Sequence, residues 1–166
     1  MKLLLRAAAG ALCLALFFIA GCAQPTLSRT QAEQEVPFWH GRLALRFDNP
    51  EKPSFFANFE LTGHDQSGEL NLFGPLGNTV ASLRWTPQGA VLISNGESRQ
   101  FESLDALATE ATGAAIPITA LFQWLHGQNT VVAGWQADLS QLAQGRLQAR
   151  RAQPEPAAEL RIILEP

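Results

Sequence analysis

The chain contains only two cysteines in 166 residues, and this restricts how it can be stabilised. Cys13 lies inside an apolar run near the amino terminus, and Cys22 follows that run directly. If the run is a leader that is removed, Cys22 is the only cysteine of the remaining 145 residues, and no disulfide can form within them. Stability must then come from a hydrophobic core, for which one domain of this length is sufficient.

Positive charge is also scarce. From Cys22 onward the chain has 10 basic and 15 acidic residues, which give a formal net charge of −5. This balance argues against nucleic acid as a partner. It also argues against a polybasic patch as the means of membrane attachment, so acyl chains are the expected anchor.

The sequence lacks the motifs of the common catalytic and metal sites. It has no Gly-x-Ser-x-Gly elbow, no His-Glu-x-x-His or Cys-x-x-Cys pair and no phosphate-binding Gly-Lys-Ser/Thr loop. His40, His64 and His126 are far apart along the chain. A carboxylate pair assembled in space stays open as an alternative. We expect no enzyme, no metal and no cofactor.

The amino terminus has the form of a secretory signal peptide. Lys2 and Arg6 precede an apolar run over residues 7–20, which is shorter than the ~20 residues that span a bilayer. Ile19-Ala20-Gly21-Cys22 resembles the lipobox of bacterial lipoproteins, in which the cysteine is acylated after cleavage before it. The resemblance implies a signal peptide over 1–21 and lipid attachment at Cys22. The alternative is that Cys22 is an ordinary residue near a conventional cleavage site.

Residues 22–37 are polar, which is typical of a flexible tether, and a domain is expected over 38–166. Apolar alternation predicts six strands, over 39–47, 54–61, 69–73, 79–85 and 90–94 and through 99–101. Helical spacing predicts helices over 104–111 and 117–125. Residues 134–142 are ambiguous, and two more strands are predicted over 146–152 and 159–164. The fold class is therefore mainly β, with short antiparallel strands and two helices.

Gly74-Pro75-Leu76-Gly77 separates two of these strands and has the residues of a tight turn. Leu76 would lie at its tip, where exposure to water forgoes roughly 1.5–3 kcal/mol of burial free energy. The side chain therefore either folds back onto the sheet or contacts something apolar.

The predicted inner surface is generously apolar for so few residues. A curved sheet with two helices across its opening either packs solid or encloses a pocket, and periodicity does not separate the two. The candidate lining residues are Phe55, Phe59, Leu72, Trp85, Phe122 and Trp124.

Several motifs together resemble one family. Gly41-Arg42-Leu43, the Phe-rich strand, residues 72–77 from Leu72 to Gly77, and Ile116-Pro117-Ile118 leading into Trp124-Leu125-His126-Gly127 are similar to the LolB family of lipoprotein receptors. The resemblance implies a half-open antiparallel β-barrel of the LolA/LolB type, covered by helices and holding an apolar cavity.

The same resemblance implies a function and partners. The protein would be a monomer, anchored by its own acyl chains at the periplasmic face of the outer membrane. It would accept triacylated lipoproteins from the periplasmic carrier LolA, without an energy source of its own. Pro75, Leu76 and Gly77 would form the loop that helps to insert the cargo. Ala23, where an aspartate would signal inner-membrane retention in enteric lipoproteins, agrees with the outer membrane.

Two other readings of the residues stay open. One is a lipid-anchored, lipocalin-like module that binds a free apolar ligand; the other is a structural lipoprotein with a solid core that scaffolds an envelope complex. The family usually continues through further strands beyond the position of Pro166, so the resemblance also implies a shortened sheet.

Overall fold

In the part of the chain that the structure describes, one antiparallel sheet of nine strands forms the fold, built from segments in which apolar and polar residues alternate. A computed structural model describes residues 36–52, 54–112, 115–153 and 155–166. The predicted signal peptide over 1–21, Cys22 and nearly all of the 22–37 tether lie outside the described residues. No helix in the described ranges is long and apolar enough to cross a membrane.

The strands follow one another along the chain with two helices between the sixth and the seventh. They are β1 (Phe38–Phe47), β2 (Phe55–Gly63), β3 (Gly68–Phe73), β4 (Thr79–Thr86), β5 (Gly89–Ser94), β6 (Glu97–Phe101), β7 (Trp135–Asp138), β8 (Arg146–Arg151) and β9 (Ala158–Leu164). The helices are α1 (Leu104–Thr112) and α2 (Ile118–Leu125), and a 3₁₀ turn at Leu142–Gln144 precedes β8.

The strand order in the sheet is β6-β5-β4-β3-β2-β1-β9-β8-β7. Strands β1 to β6 form a meander, and β9 lies between β1 and β8. Within the described residues β6 and β7 are the two edges and do not pair with each other, so the sheet is not closed. The predicted mainly-β class, with an open antiparallel sheet and two helices, is confirmed.

The sheet has an inner face that carries the core and an outer face of mostly polar side chains. Leu45, Phe59 and Leu83 are buried on the inner face, together with Leu107 of α1 and Phe122 of α2. This alternation is the one that the sequence predicts. The six predicted strands of the meander and both helices occur in the predicted places, with ends shifted by one or two residues.

The ambiguous segment over 134–142 contains a short strand with a buried tryptophan. Trp135 is almost fully buried, and its indole N–H donates a hydrogen bond to the carbonyl oxygen of Ala115 at 3.1 Å. Only four residues pair with β8, so the segment is too short to show a strand period in the sequence.

The backbones of β1 and β9 approach closely at Gly41. A Cβ atom at this position would lie 2.0 Å from the carbonyl oxygen of Ile163, and the φ angle of Gly41 is +147°. Both the space and the backbone conformation therefore require glycine.

We expect Gly41→Ala to lower the free energy of unfolding by more than about 2 kcal/mol, because it adds a clash to backbone strain. Gly96→Ala is the matched control: its φ is +79°, but nothing lies within 4 Å of an added Cβ, so about 1 kcal/mol is expected. Chemical denaturation measures both. Equal losses would contradict a steric role for the β1–β9 contact.

An ion-pair network on the outer face links β8 to β9. Glu159 accepts from Arg150 Nε and Arg161 Nη2, each at 3.0 Å, and from the amide of Gln148. Partial burial of the Glu159 carboxylate acts to raise its pKa, but the hydrogen bonds from Arg161, Arg150 and Gln148 outweigh it and hold the pKa below the ordinary value of 4.5.

We expect Glu159→Gln to lower the free energy of unfolding by about 1 kcal/mol at pH 7, since the arginine partners are largely solvated. The pKa is depressed by folding, so the stabilisation is complete above pH 4.5 and is lost as the pH falls through the folded value. Denaturation from pH 7 to pH 3 should therefore show the difference from the parent chain shrinking. Glu97→Gln on edge strand β6 serves as the control, and a difference independent of pH would argue against this network.

Candidate functional site

The inner face of the sheet forms one side of an apolar pocket of about 760 Å³. Its wall consists of inner-face side chains from the meander and β9, together with apolar side chains of both helices. Among them are Leu43, Leu45, Phe59, Leu61, Leu70, Leu72, Leu83, Trp85, Leu92, Leu107, Ile118, Leu121, Phe122, Leu160 and Ile162. A space of this size and character suits an apolar ligand more than a polar one.

Five of the six candidate lining residues lie on this wall. They are Phe55, Phe59, Leu72, Trp85 and Phe122. Leu43, Leu61 and Ile162 also line the pocket and were not predicted to do so, although the alternation in β1, β2 and β9 puts them on the same face.

Trp124 is a correction, because it does not line the pocket. Its side chain is fully buried elsewhere in the core, and its indole N–H donates to the carbonyl oxygen of Thr130 at 2.9 Å. Phe122 and Trp124 are two residues apart on a helix and therefore point about 200° from each other. Both cannot face the same pocket, so the prediction for Trp124 was wrong.

Aromatic contacts position α2 against the sheet. The ring of Phe122 lies 5.8 Å from Trp39 and 6.2 Å from Trp85, in edge-on and tilted arrangements. Trp39 also contacts His126 at 5.0 Å, and the indole N–H of Trp85 donates to the carbonyl oxygen of His64 at 2.9 Å. These contacts are of the kind that aromatic rings prefer and fix one wall of the pocket.

Polar side chains form part of the exposed lining of the pocket. Ser54, Asn95 and Arg99 belong to it, with Lys52 partly buried beside them. Arg99 pairs with Glu110 of α1. These residues form a rim around an apolar interior, and the polar rim marks where the pocket meets water.

The Gly74–Gly77 turn holds Leu76 in water. The Gly77 N–H donates to the carbonyl oxygen of Gly74, and the Gly74 N–H donates to that of Asn78, each at 2.9 Å. Gly77 has a φ of +79°, which gives a three-residue hairpin loop whose last residue is left-handed. Leu76 is 94% exposed, so it does not fold back onto the sheet.

The loop and the pocket rim lie at the same end of the strands. The loop joins the end of β3 to the start of β4, while Ser54 and Phe55 lie at the start of β2. Asn95 lies in the turn between β5 and β6. Antiparallel pairing brings these three connections together, and an exposed leucine therefore stands beside the rim of an apolar pocket.

The three histidines are not brought together. His40 stacks on Phe38 on the outer face, His126 follows α2, and His64 lies in the turn after β2. No group of three metal-ligating side chains occurs among the residues that the structure describes.

Comparison with known proteins identifies the family. The family model described as "Outer membrane lipoprotein LolB" matches residues 39–157. The chain is 35% identical over 120 residues to the outer-membrane lipoprotein LolB of Bordetella parapertussis, covering 70% of this chain and 60% of the relative. It is 31% identical over 114 residues to that of Chromobacterium violaceum, covering 66% and 62%.

A third relative, from Cupriavidus metallidurans, is 30% identical over 143 residues, covering 81% of this chain and 68% of the relative. The chain thus spans about 60% of the length of the first two relatives. These matches confirm the predicted class, a lipoprotein of the outer membrane. The chain belongs to the LolB family of outer-membrane lipoproteins.

Proposed function

We propose that the chain accepts triacylated lipoproteins from the periplasmic carrier LolA and inserts them into the outer membrane. The observation that carries the proposal is the apolar pocket of about 760 Å³, with an exposed leucine beside its rim. Residues 38–166 would form the receptor domain, and the sheet with its helices would form a half-open barrel around the cargo site.

An apolar shelter is what this transfer requires. Exposing an acyl chain to water costs about 0.8 kcal/mol per methylene, so cargo needs an apolar surface before and after it leaves the carrier. Transfer without an energy source then follows the order of affinities for the cargo. The receptor must bind the cargo more tightly than the carrier does, and the bilayer must hold it more tightly than the receptor does. Phe55, Phe59, Leu72, Trp85 and Phe122 offer part of that surface.

Attachment to the membrane would come from a lipid anchor. Acylation at Cys22 would hold the domain at the membrane as a monomer, through the 22–37 tether. Two or three acyl chains anchor a protein stably, whereas one does so only marginally. Pro75, Leu76 and Gly77 would then reach the bilayer first, because they project from the domain at its pocket end.

Filling the pocket should reduce cargo uptake. We expect Ala81→Trp, on the pocket wall, to weaken binding of a fluorescent fatty acid about tenfold, which corresponds to about 1.4 kcal/mol. Ser82→Trp is the control, because the same substitution one residue along β4 points to the outer face. Titration of the probe measures both variants. Equal affinities would place the ligand outside the pocket.

Leu76→Glu should separate insertion from uptake. We expect normal folding and normal transfer from loaded LolA, because the residue is 94% exposed, but at least tenfold slower insertion of the cargo into liposomes. Val131→Glu is the control, since Val131 is 93% exposed in a different loop. The chain from residue 22 with Cys22→Ala, mixed with LolA that carries a labelled lipoprotein, allows both steps to be followed.

The same assay distinguishes the other functions. If cargo stays on LolA while the folded chain binds the fatty-acid probe, a module for a free apolar ligand replaces the receptor. If the folded chain binds neither the cargo nor the fatty-acid probe, a structural scaffold replaces both the receptor and the ligand-binding module as the proposed function. A Leu76→Glu chain that fails to fold, or a Val131→Glu chain that inserts as slowly, would remove Leu76 from the mechanism.

A further inference from the structure

The outer face of the sheet carries a second depression, away from the apolar pocket. It is a groove of about 340 Å³ across β1, β2 and β9, and Pro75 of the Leu76 loop forms one end of it. Its apolar lining includes Phe56, Phe73 and Ile163, and Arg42 and Arg161 line its sides. We call this surface the outer groove.

Large apolar side chains are exposed in and beside the outer groove. Phe56 is 58% exposed and Ile163 is 39% exposed, on strands whose other faces are buried. Phe38, at the start of β1, is 55% exposed, and its stacking on His40 puts it on the same outer face. Phe56 and Ile163 line the same groove, and an exposed apolar patch of this kind marks an interaction site.

Positive charge is concentrated on this face. Five arginines project from the outer face of β1, β8 and β9: Arg42, Arg46, Arg146, Arg150 and Arg161. Among the described residues, the glutamates that pair with them are Glu159 and Glu165, and the Arg42–Glu165 pair is long, at 3.6 Å. The β1, β8 and β9 part of the outer face is therefore net positive, whereas the formal charge of the whole chain is −3. Its partner should be anionic.

The length of chain before the domain allows this face to reach a bilayer. Residues 22–36 extend to at most about 50 Å, and β1 spans about 33 Å. The chain enters at the Phe38 end of β1, whereas the Leu76 loop lies at the Phe47 end. A domain lying on its outer face could therefore stay anchored while the loop meets the membrane.

We propose that the outer groove and its arginines dock the domain on a bilayer that contains anionic phospholipid. The phosphates bind Arg42 and Arg161, and the apolar lining takes up the upper part of the lipid. The docking orients the Leu76 loop toward the membrane and rests on the proposed function for its anchor at Cys22. The acyl chains still supply the attachment, and the outer face sets the orientation.

The test uses the mature lipidated chain in vesicles of phosphatidylcholine with or without phosphatidylglycerol. An added cysteine at Asn58→Cys, in the lining of the groove, is the only thiol if Cys22 is acylated and the leader with Cys13 is removed. It carries a dye that brightens in a bilayer interface. Ser98→Cys, on the outer face of edge strand β6, carries the same dye as the positional control.

We expect the dye at residue 58 to brighten in anionic vesicles, at physiological but not at high salt, and the dye at residue 98 to stay dim. Each arginine near an anionic surface contributes about fivefold, so Arg42→Gln with Arg161→Gln should lower the docking constant about 25-fold. Arg84→Gln with Arg99→Gln removes the same charge away from the groove and should leave docking nearly unchanged.

Three results would overturn the proposal: equal brightening in zwitterionic vesicles, equal losses from the two arginine pairs, or brightening of the dye at residue 98. Brightening that grows with the density of protein on the vesicle would assign the groove to a second copy of the chain instead. The assay contains no LolA and no cargo. Docking can therefore fail while transfer succeeds, or succeed while transfer fails, and the two proposals are tested separately.

Discussion

The pairing of β1 with β9 joins two parts of the chain that lie more than a hundred residues apart, and the sheet depends on it. Without it, the meander β1 to β6 and the strands β7 to β9 would be separate sheets, each with another exposed edge. The approach is so close at Gly41 that no side chain fits. Contacts of such high sequence separation carry a large loop-closure entropy, so this junction is expected to form late in folding.

The strand period lets one segment contribute to both faces of the sheet. In β1, Leu43 and Leu45 face the apolar pocket, and Arg42 and Arg46 face outward from the residues between them. Antiparallel sheets commonly have one buried face and one solvent-exposed face. Here positive charge is also concentrated on one part of the exposed face. The net charge of the sequence does not reveal this positive region, because the arginines on β1, β8 and β9 come together only when β9 pairs with both β1 and β8.

Local signals were sufficient for most of the fold. Alternation, turn residues and helix caps act within a few residues, so the meander, both helices and the hairpin at Leu76 could be predicted. Features that depend on tertiary contacts could not be predicted. Trp135 is fixed by a hydrogen bond to Ala115, twenty residues away, and Trp124 turns from the pocket because of the direction of a short helix. Turn chemistry likewise predicted the loop but not the exposure of Leu76, which depends on what lies beside the tip.

In the part of the chain that the structure describes, the two edge strands stay unpaired, and this has a mechanical consequence. A closed barrel has a diameter fixed by its strand number and stagger. An open sheet has no such constraint, so a change in twist spread over nine strands can widen or narrow the space inside while every ladder hydrogen bond is kept. The volume of the pocket therefore depends on the curvature of the sheet, which can change. Apolar ligands of different widths would fit without the loss of any strand pairing.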